Sequence, residues 1–581
     1  MTLTSAGYSF LCVLLAAVLT GCAPLASKDD GEQSSEVAAI AELPTPPQPM
    51  LPPQDLTQDL LYAYLIAEMA VHRQQYTVAA QAYLEIARKT RDPRIARRAT
   101  DIAVFARQTA LAVEAATLWL QAEPTSIPAR QTLASILISS STLQDVRPHL
   151  EMLLAADPKR TAQVFLQINS MLARHADKAA VARLVQDLAR GYPRIAEAQL
   201  AAAQACWNAD LIDAAVDSTR AALKLRPDWE LAALFQAQIL QYRSPAEGLA
   251  YYREYLKAYP SAKDMRLNYA RLLLSERHSE EARGQLVVLS AAEPQNPDIA
   301  LTIGLLAVQM SDWPMAESHL QRALDLNTSG SDTARYYLGQ VSEERKRFDE
   351  ALVWYRSVVH GEQYIPAQSR IAGIMAKKGQ VSEARSMLKA IEPQTLQQRV
   401  QLTQAEANVL REATAYKDAF DLLGQAVEKL PNVPELLYDY AMAAEKVDRL
   451  DVLESNLRKL IALKPDHAHA LNALGYTLAD RTDRLQEAHQ LIDQALKLSP
   501  DDPFIQDSMG WVLYRLGRVD EGRAYLERAF KSRPDPEIAA HLGEVLWMQG
   551  RRDEAQRIWQ DTLKEHPGNE ALQGVIKKHA Q

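Results

Sequence analysis

Small, apolar and proline positions return along this chain at one fixed long interval. Pro465, Pro500, Pro534 and Pro567 are spaced by 35, 34 and 33 residues, and Pro431 lies 34 before Pro465. Nearer the N-terminus, Pro124, Pro158, Pro193, Pro227, Pro260 and Pro294 are spaced by 34, 35, 34, 33 and 34. Between the prolines the same positions carry the same kinds of residue. With Pro503 as position 1, Gly510 stands at 8, Gly517 at 15, Leu526 at 24, Ala529 at 27 and Pro534 at 32. The next copy, counted from Pro536, has Gly543 at 8, Gly550 at 15, Ala555 at 20, Trp559 at 24 and Pro567 at 32. This pattern predicts a helical hairpin. A small residue at 8 lets the first helix approach the second, and a small residue near 20 answers it. The large apolar residue at 24 fills the gap, and the proline ends the second helix before the next hairpin.

Other copies repeat the scheme: Gly304, Ala316, Leu320 and Ala323; Gly339, Phe348, Ala351 and Tyr355; Ala407, Ala419, Leu423 and Pro431; Gly475, Ala488, Ile492 and Pro500. The first begins near Leu60 with Ala67, Tyr76, Ala79 and Tyr83. Taken together, these positions resemble the tetratricopeptide-repeat family. At ~34 residues per copy, about fifteen hairpins fit between Leu60 and Pro567. The expected fold is therefore all-α: an α-solenoid (superhelix) over residues 60–568, closed by a C-terminal capping helix over 569–581 with Lys577 and Lys578 at a polar end. The copies over 162–195 and 365–399 are poor, so bends or altered stacking are expected there.

Composition narrows the class further. Only 21 of 581 residues are Gly, which suits helices better than turn-rich sheets. A net charge of -9 argues against nucleic acid as the main partner, because phosphate contacts need a basic face. Three cysteines cannot build a disulfide framework.

The N-terminus reads as an address. Phe10 to Thr20 is an apolar run of signal-peptide length, ending in Leu19-Thr20-Gly21-Cys22. Small residues before a Cys at this place resemble a bacterial lipobox. The resemblance implies cleavage of a signal peptide over 1–21 and lipidation of Cys22. The first ten residues depart from the pattern in lacking Lys and Arg. An ordinary signal peptide or an uncleaved anchor are the other readings. Ala23 at the next position implies the outer membrane as destination. Residues 22–59 form an acylated Cys and a Pro- and acid-rich tether, since Pro44, Pro46, Pro47, Pro49, Pro52 and Pro53 favour extended chain.

Catalytic and metal signatures are missing from the sequence: there is no phosphate loop, HExxH, CxxC or GxSxG. No enzymatic activity, cofactor or metal is expected. His467 and His469 do not face one site on a helix. Asp325, Asn327, Ser329 and Gly330 imitate half of a calcium loop, but Tyr336 replaces the bidentate Glu at its twelfth position. Two surfaces have a candidate role. Arg88, Lys89, Arg91, Arg94, Arg97 and Arg98 form a basic patch, either a solvated hairpin end or a dock for an acidic partner, lipid headgroups or glycan. In tetratricopeptide arrays, positions 2, 5, 9 and 12 of the first helix line the inner face. That frame implies a partner-binding groove containing Tyr438, Tyr476, Phe504, Asp507, Trp511, Tyr514 and Trp547. Aromatics bordered by polar groups suit peptide anchors. The other reading is that they fill space between neighbouring first helices.

Residues 87–103 and 469–518, with the lipobox and the long repeat array, resemble the large outer-membrane tetratricopeptide lipoproteins of proteobacteria. That resemblance implies an adaptor facing the periplasm. It would bind and activate a periplasmic carboxyl-terminal-processing serine protease and present cell-wall hydrolases to it. The alternative is an assembly factor for an envelope machine, such as a pilus secretin, outer-membrane protein insertion or exopolysaccharide export.

Overall fold

The computed structural model describes residues 54–140, 143–173 and 175–579. Among them are 31 helices and no strand, so the protein is all-α. Cys22, the signal-like run before it and the tether up to Pro53 lie outside the described residues.

The chain forms two compact units, one ending at Asp312 and the other beginning at Trp313. The first holds seven helix pairs, from Gln58–His72 with Tyr76–Thr90 to Lys263–Ser275 with Ser279–Ala292, and then the helix Pro297–Gln309. The second begins with the helix Trp313–Asp325. It continues through seven pairs, from Ser331–Glu344 with Phe348–Arg356 to Pro536–Met548 with Arg552–Glu565, and ends on Glu570–His579. That last helix packs against both helices of the pair before it and buries Leu572 completely.

Many of the pairs are held by the small-to-large contact that the spacing predicts, though not all: the same positions are Thr100 and Ala116 in one pair and Ile168 and Leu184 in another. In the first pair Ala67 and Tyr83 are both buried and share one core. Ala441 and Leu457 do the same in the second unit. Where position 8 is glycine the fit is tighter. A Cβ on Gly510 would lie 2.6 Å from Leu526 Cγ, and one on Gly475 2.6 Å from Ile492 Cγ1. A Cβ on Gly543 would overlap the buried indole of Trp559.

Most turns inside the pairs pivot on one residue in the left-handed region. At Gly379, Gly517 and Gly550 this is unstrained, but Arg107, Asp210, Arg277, Thr414 and Asp448 adopt it too, at roughly 1–2 kcal/mol each. The next N–H then reaches back to cap the first helix: Arg518 N–H donates to Leu513 O at 2.9 Å, and Arg551 N–H to Leu546 O at 3.0 Å.

Irregularity extends further than the sequence suggests. The poor copy over 365–399 has a second helix of only nine residues, Val381–Lys389. The copy before it, which reads as regular, is equally short in Phe348–Arg356. There the chain leaves the helix early, buries Val358 fully and turns at Gly361, whose φ is +75°. In the first unit, Cys206 is a buried free thiol on an alanine-rich helix.

Gly543→Ala should destabilise the second unit by about 1–3 kcal/mol, because the Trp559 ring has nowhere to move. Gly284→Ala is the control: no atom lies within 4 Å of the added methyl, and it sits mid-helix, so it should be neutral or stabilising by about 0.5–1 kcal/mol. Urea unfolding of the two variants checks both signs.

Candidate partner-binding face

Four consecutive first helices carry the sequence-predicted groove: Pro434–Lys446, Ala468–Arg481, Pro503–Arg515 and Pro536–Met548. The first starts on Pro434 with no side-chain cap, and the starts of the other three are fixed by side-chain caps. Asp502 accepts from Phe504 N at 2.9 Å and Ile505 N at 3.1 Å, and Asp535 accepts from Glu537 N at 2.9 Å. In the second of these helices a histidine does the capping: His467 Nδ1 accepts from Ala470 N at 3.1 Å.

At the centre of this face the side chains of three helices lock together. His541 Nδ1 lies 2.9 Å and 3.0 Å from the two Asp507 oxygens. The His541 ring stacks on Trp511, with centroids 4.4 Å apart and planes 23° apart. Tyr476 OH donates to Glu537 Oε1 at 3.3 Å and lies 3.4 Å from His541 Nε2. Asp507, Trp511 and His541 are 5%, 8% and 8% exposed. Trp511 is therefore not an open anchor. It packs between neighbouring first helices, and its Nε1 has no hydrogen-bond partner among the described residues. A position-9 aromatic is needed for packing here because the next copy offers a flat His ring opposite it.

Burial opposes charge on His541, yet the Asp507 carboxylate outweighs it and holds the imidazole pKa above its ordinary value, with Glu537 and Asp480 adding to the effect. Burial pushes the Glu537 carboxyl up, and it pushes the Tyr476 phenol up strongly. The sequence frame missed His541, which stands at position 6. The signal was available: His541 falls 34 residues after Asp507, so adjacent copies bring them side by side.

The remaining groove residues have separate settings. Tyr514 is half-buried, 5.3 Å from Trp511 between ring centroids. Phe504 is exposed, with the Arg533 guanidinium 5.0 Å over its ring. Trp547 stacks on Trp559 at 5.8 Å and touches His579 of the final helix at 5.3 Å, which makes it part of the end packing. Tyr438 is half-buried, stacks on His467 at 5.7 Å, and lines a cleft of about 250 Å³ with Gln404, Glu435, Asp439 and His469.

The basic patch is largely engaged within its own unit. Arg88 forks onto Glu114 at 2.7 Å and 2.8 Å, Arg94 pairs with Asp92 at 2.7 Å, and Arg91 donates to Gln121 at 3.0 Å. Arg97 lies 5.6 Å over Trp119, and Arg98 6.0 Å over Tyr83. Lys89 is exposed. Among the described residues no group of three His, Cys, Asp or Glu could hold a metal, and no helix is long and apolar enough to cross a membrane.

Comparison with known proteins settles the family. A tetratricopeptide-repeat model matches residues 240–297, 301–365, 454–503 and 508–570. A TPR repeat-containing protein of Pseudomonas aeruginosa is 32% identical over 523 residues, spanning 89% of this chain and 87% of the relative. The chain belongs to the tetratricopeptide-repeat family. Cellulose synthase operon protein C of Pseudomonas fluorescens is 25% identical over 381 residues, 55% of this chain and 29% of that protein. Among solved structures, a thermophilic TPR protein of Thermus thermophilus is 24% identical and covers 31% of this chain and 97% of its own, with a TM-score of 0.29. A tetratricopeptide repeat protein from Parabacteroides merdae is 13% identical and covers 48% of this chain and 97% of its own, at 0.32. Tetratricopeptide arrays are generally non-catalytic scaffolds suited to holding protein partners.

Trp511→Ala should lower the stability of the second unit by about 3–5 kcal/mol, as for a buried aromatic, which thermal melting followed by circular dichroism would record. The Asp507–His541 pair adds a pH dependence. Because the folded pKa of His541 is raised, its contribution is complete below about pH 6.5, the ordinary imidazole value, and is lost as pH rises through the raised one. The melting midpoint of wild type should therefore fall from about pH 6 to about pH 9 by more than that of His541→Gln.

Proposed function

We propose that this protein is an outer-membrane-anchored scaffold that binds and activates a periplasmic carboxyl-terminal-processing protease and presents cell-wall hydrolases to it. The observation that carries the partner-binding part is the inner face of the second unit. There, acidic and aromatic side chains from Tyr438 to Glu537 stand in register on successive first helices, and an open cleft lies at Tyr438. The lipobox-like Leu19-Thr20-Gly21-Cys22 and Ala23 support the anchor and its destination. Similarity along most of the chain to a tetratricopeptide-repeat protein of Pseudomonas aeruginosa supports a scaffold that works as a whole array.

The mechanism is proximity. One surface holds the protease and another its substrate, raising their effective concentration to about the mM range. A lipid on Cys22 confines the encounter to the membrane surface, since each buried CH₂ contributes about 0.8 kcal/mol. The match to cellulose synthase operon protein C favours a second reading, an assembly factor for an envelope machine such as an exopolysaccharide exporter.

Affinity purification from detergent-solubilised envelopes separates the two. The adaptor reading expects a processing protease with cell-wall hydrolases, and purified scaffold should then stimulate cleavage; recovery of export, secretin or pilus components without the protease would overturn it. The anchor has its own test: Cys22→Ser should move the protein from the membrane fraction to the soluble periplasm, whereas unchanged membrane association would refute lipidation at Cys22.

A further inference from the structure

The cleft beside Tyr438 has a chemistry of its own. Asp439 lines it, half-buried, and Gln404 Nε2 donates to Asp439 Oδ2 at 2.7 Å. Glu435, one helical turn earlier on the same helix, lines the same cleft. Two carboxylates at i and i+4 repel each other. Their charge is only partly compensated: Gln404 is uncharged, the Arg411 guanidinium favours the Asp439 carboxylate but does not outweigh its burial, and the Lys464 ammonium meets Glu435 from the exposed rim, at 3.4 Å. Burial pushes the Asp439 carboxyl above its ordinary range, the sign of a carboxylate short of compensating charge.

The walls select among cations. Tyr438 and His467 stack with their planes 28° apart. His467 Nδ1 is used as an acceptor by the cap to Ala470, and burial keeps this imidazole pKa low, so the ring is a neutral wall and not a competing cation. His469 stands at the exposed edge. A planar guanidinium matches this set. It can slide along the aromatic wall, donate in a fork to one carboxylate and leave its charge between the two. An ammonium satisfies the charge but not the plane.

We propose that this cleft is a specificity pocket for an arginine side chain presented by a protein partner. The inference rests on the reading that this face takes partners, and it names the residue that the face selects. Arginine enters beside Tyr438, places its guanidinium between Asp439 and Glu435, and displaces the need for Lys464 at the rim.

Fluorescence anisotropy on the full-length chain in detergent tests it with labelled octapeptides that differ only at a central Arg, Lys, citrulline or Glu. Citrulline keeps the shape of arginine without its charge. The Arg peptide should bind more tightly than the Lys peptide, and at least about tenfold more tightly than the citrulline and Glu peptides. Asp439→Asn should reduce Arg-peptide affinity by at least about tenfold while melting at or above the wild-type temperature, because it removes an undercompensated charge. A variant that melts lower is replaced by Glu435→Gln, whose exposed side chain cannot disturb the core, and the same loss is expected. Equal binding of the Arg and citrulline peptides, no Arg-peptide binding up to about 1 mM, or unchanged affinity in folded variants would overturn the proposal. Protease capture by the same preparations keeps the two readings apart. Capture without arginine preference removes the pocket and leaves the scaffold. Arginine preference without capture does the reverse.

Discussion

The interaction on which most of the rest depends is the contact between a small residue at position 8 of the first helix and a large one at position 24 of its partner. Ala67 with Tyr83, Ala441 with Leu457, Gly510 with Leu526 and Gly543 with Trp559 are the same joint made with different volumes. A small residue lets the two helices close, and a large one fills the space that closing leaves. No single hairpin buries enough apolar surface to stand alone, so each leans on its neighbour and the core grows along the chain. Variation in the pair is compensated within it: where position 8 has no side chain, as in Gly543, the opposite residue can be a tryptophan.

This joint frees the opposite side of each first helix. Its residues are repeated at the same height from copy to copy, whatever they are, so a row of side chains is presented to a partner without being selected for the fold. In the second unit that row is acidic and aromatic. Part of it has been drawn back into structure, as the Asp507–His541–Trp511 stack ties two adjacent copies together and Tyr476 joins it from a third. Part of it is open, as at Asp439 and Tyr438. Rigidity at one end and an unsatisfied cleft further along are the properties expected of a surface that holds another protein with little reorganisation.

The fold was legible because its determinants are local. Prolines at a spacing near 34 and small-to-large pairs sixteen residues apart are visible in one chain without knowledge of contacts between copies. What was not legible depends on those contacts. Trp511 reads equally as an anchor or a filler until the next copy places His541 against it. His541 itself lay outside the four positions assigned to the inner face. The short helix Phe348–Arg356 starts with a regular sequence, and its early end follows from where Val358 finds burial. The cleft was half visible: Tyr438 was placed on the face, but the role of Asp439 emerges only when Gln404 arrives from the preceding copy, 35 residues earlier.

The central claim is that partners are held on the first helices of the second unit. Hydrogen–deuterium exchange of the full-length protein, with and without the processing protease proposed as its partner, measures this most directly. Added protection should concentrate in Pro434–Lys446, Ala468–Arg481, Pro503–Arg515 and Pro536–Met548, with the second helices of those pairs unchanged. Protection that falls on the second helices, or only on the unit ending at Asp312, would contradict it.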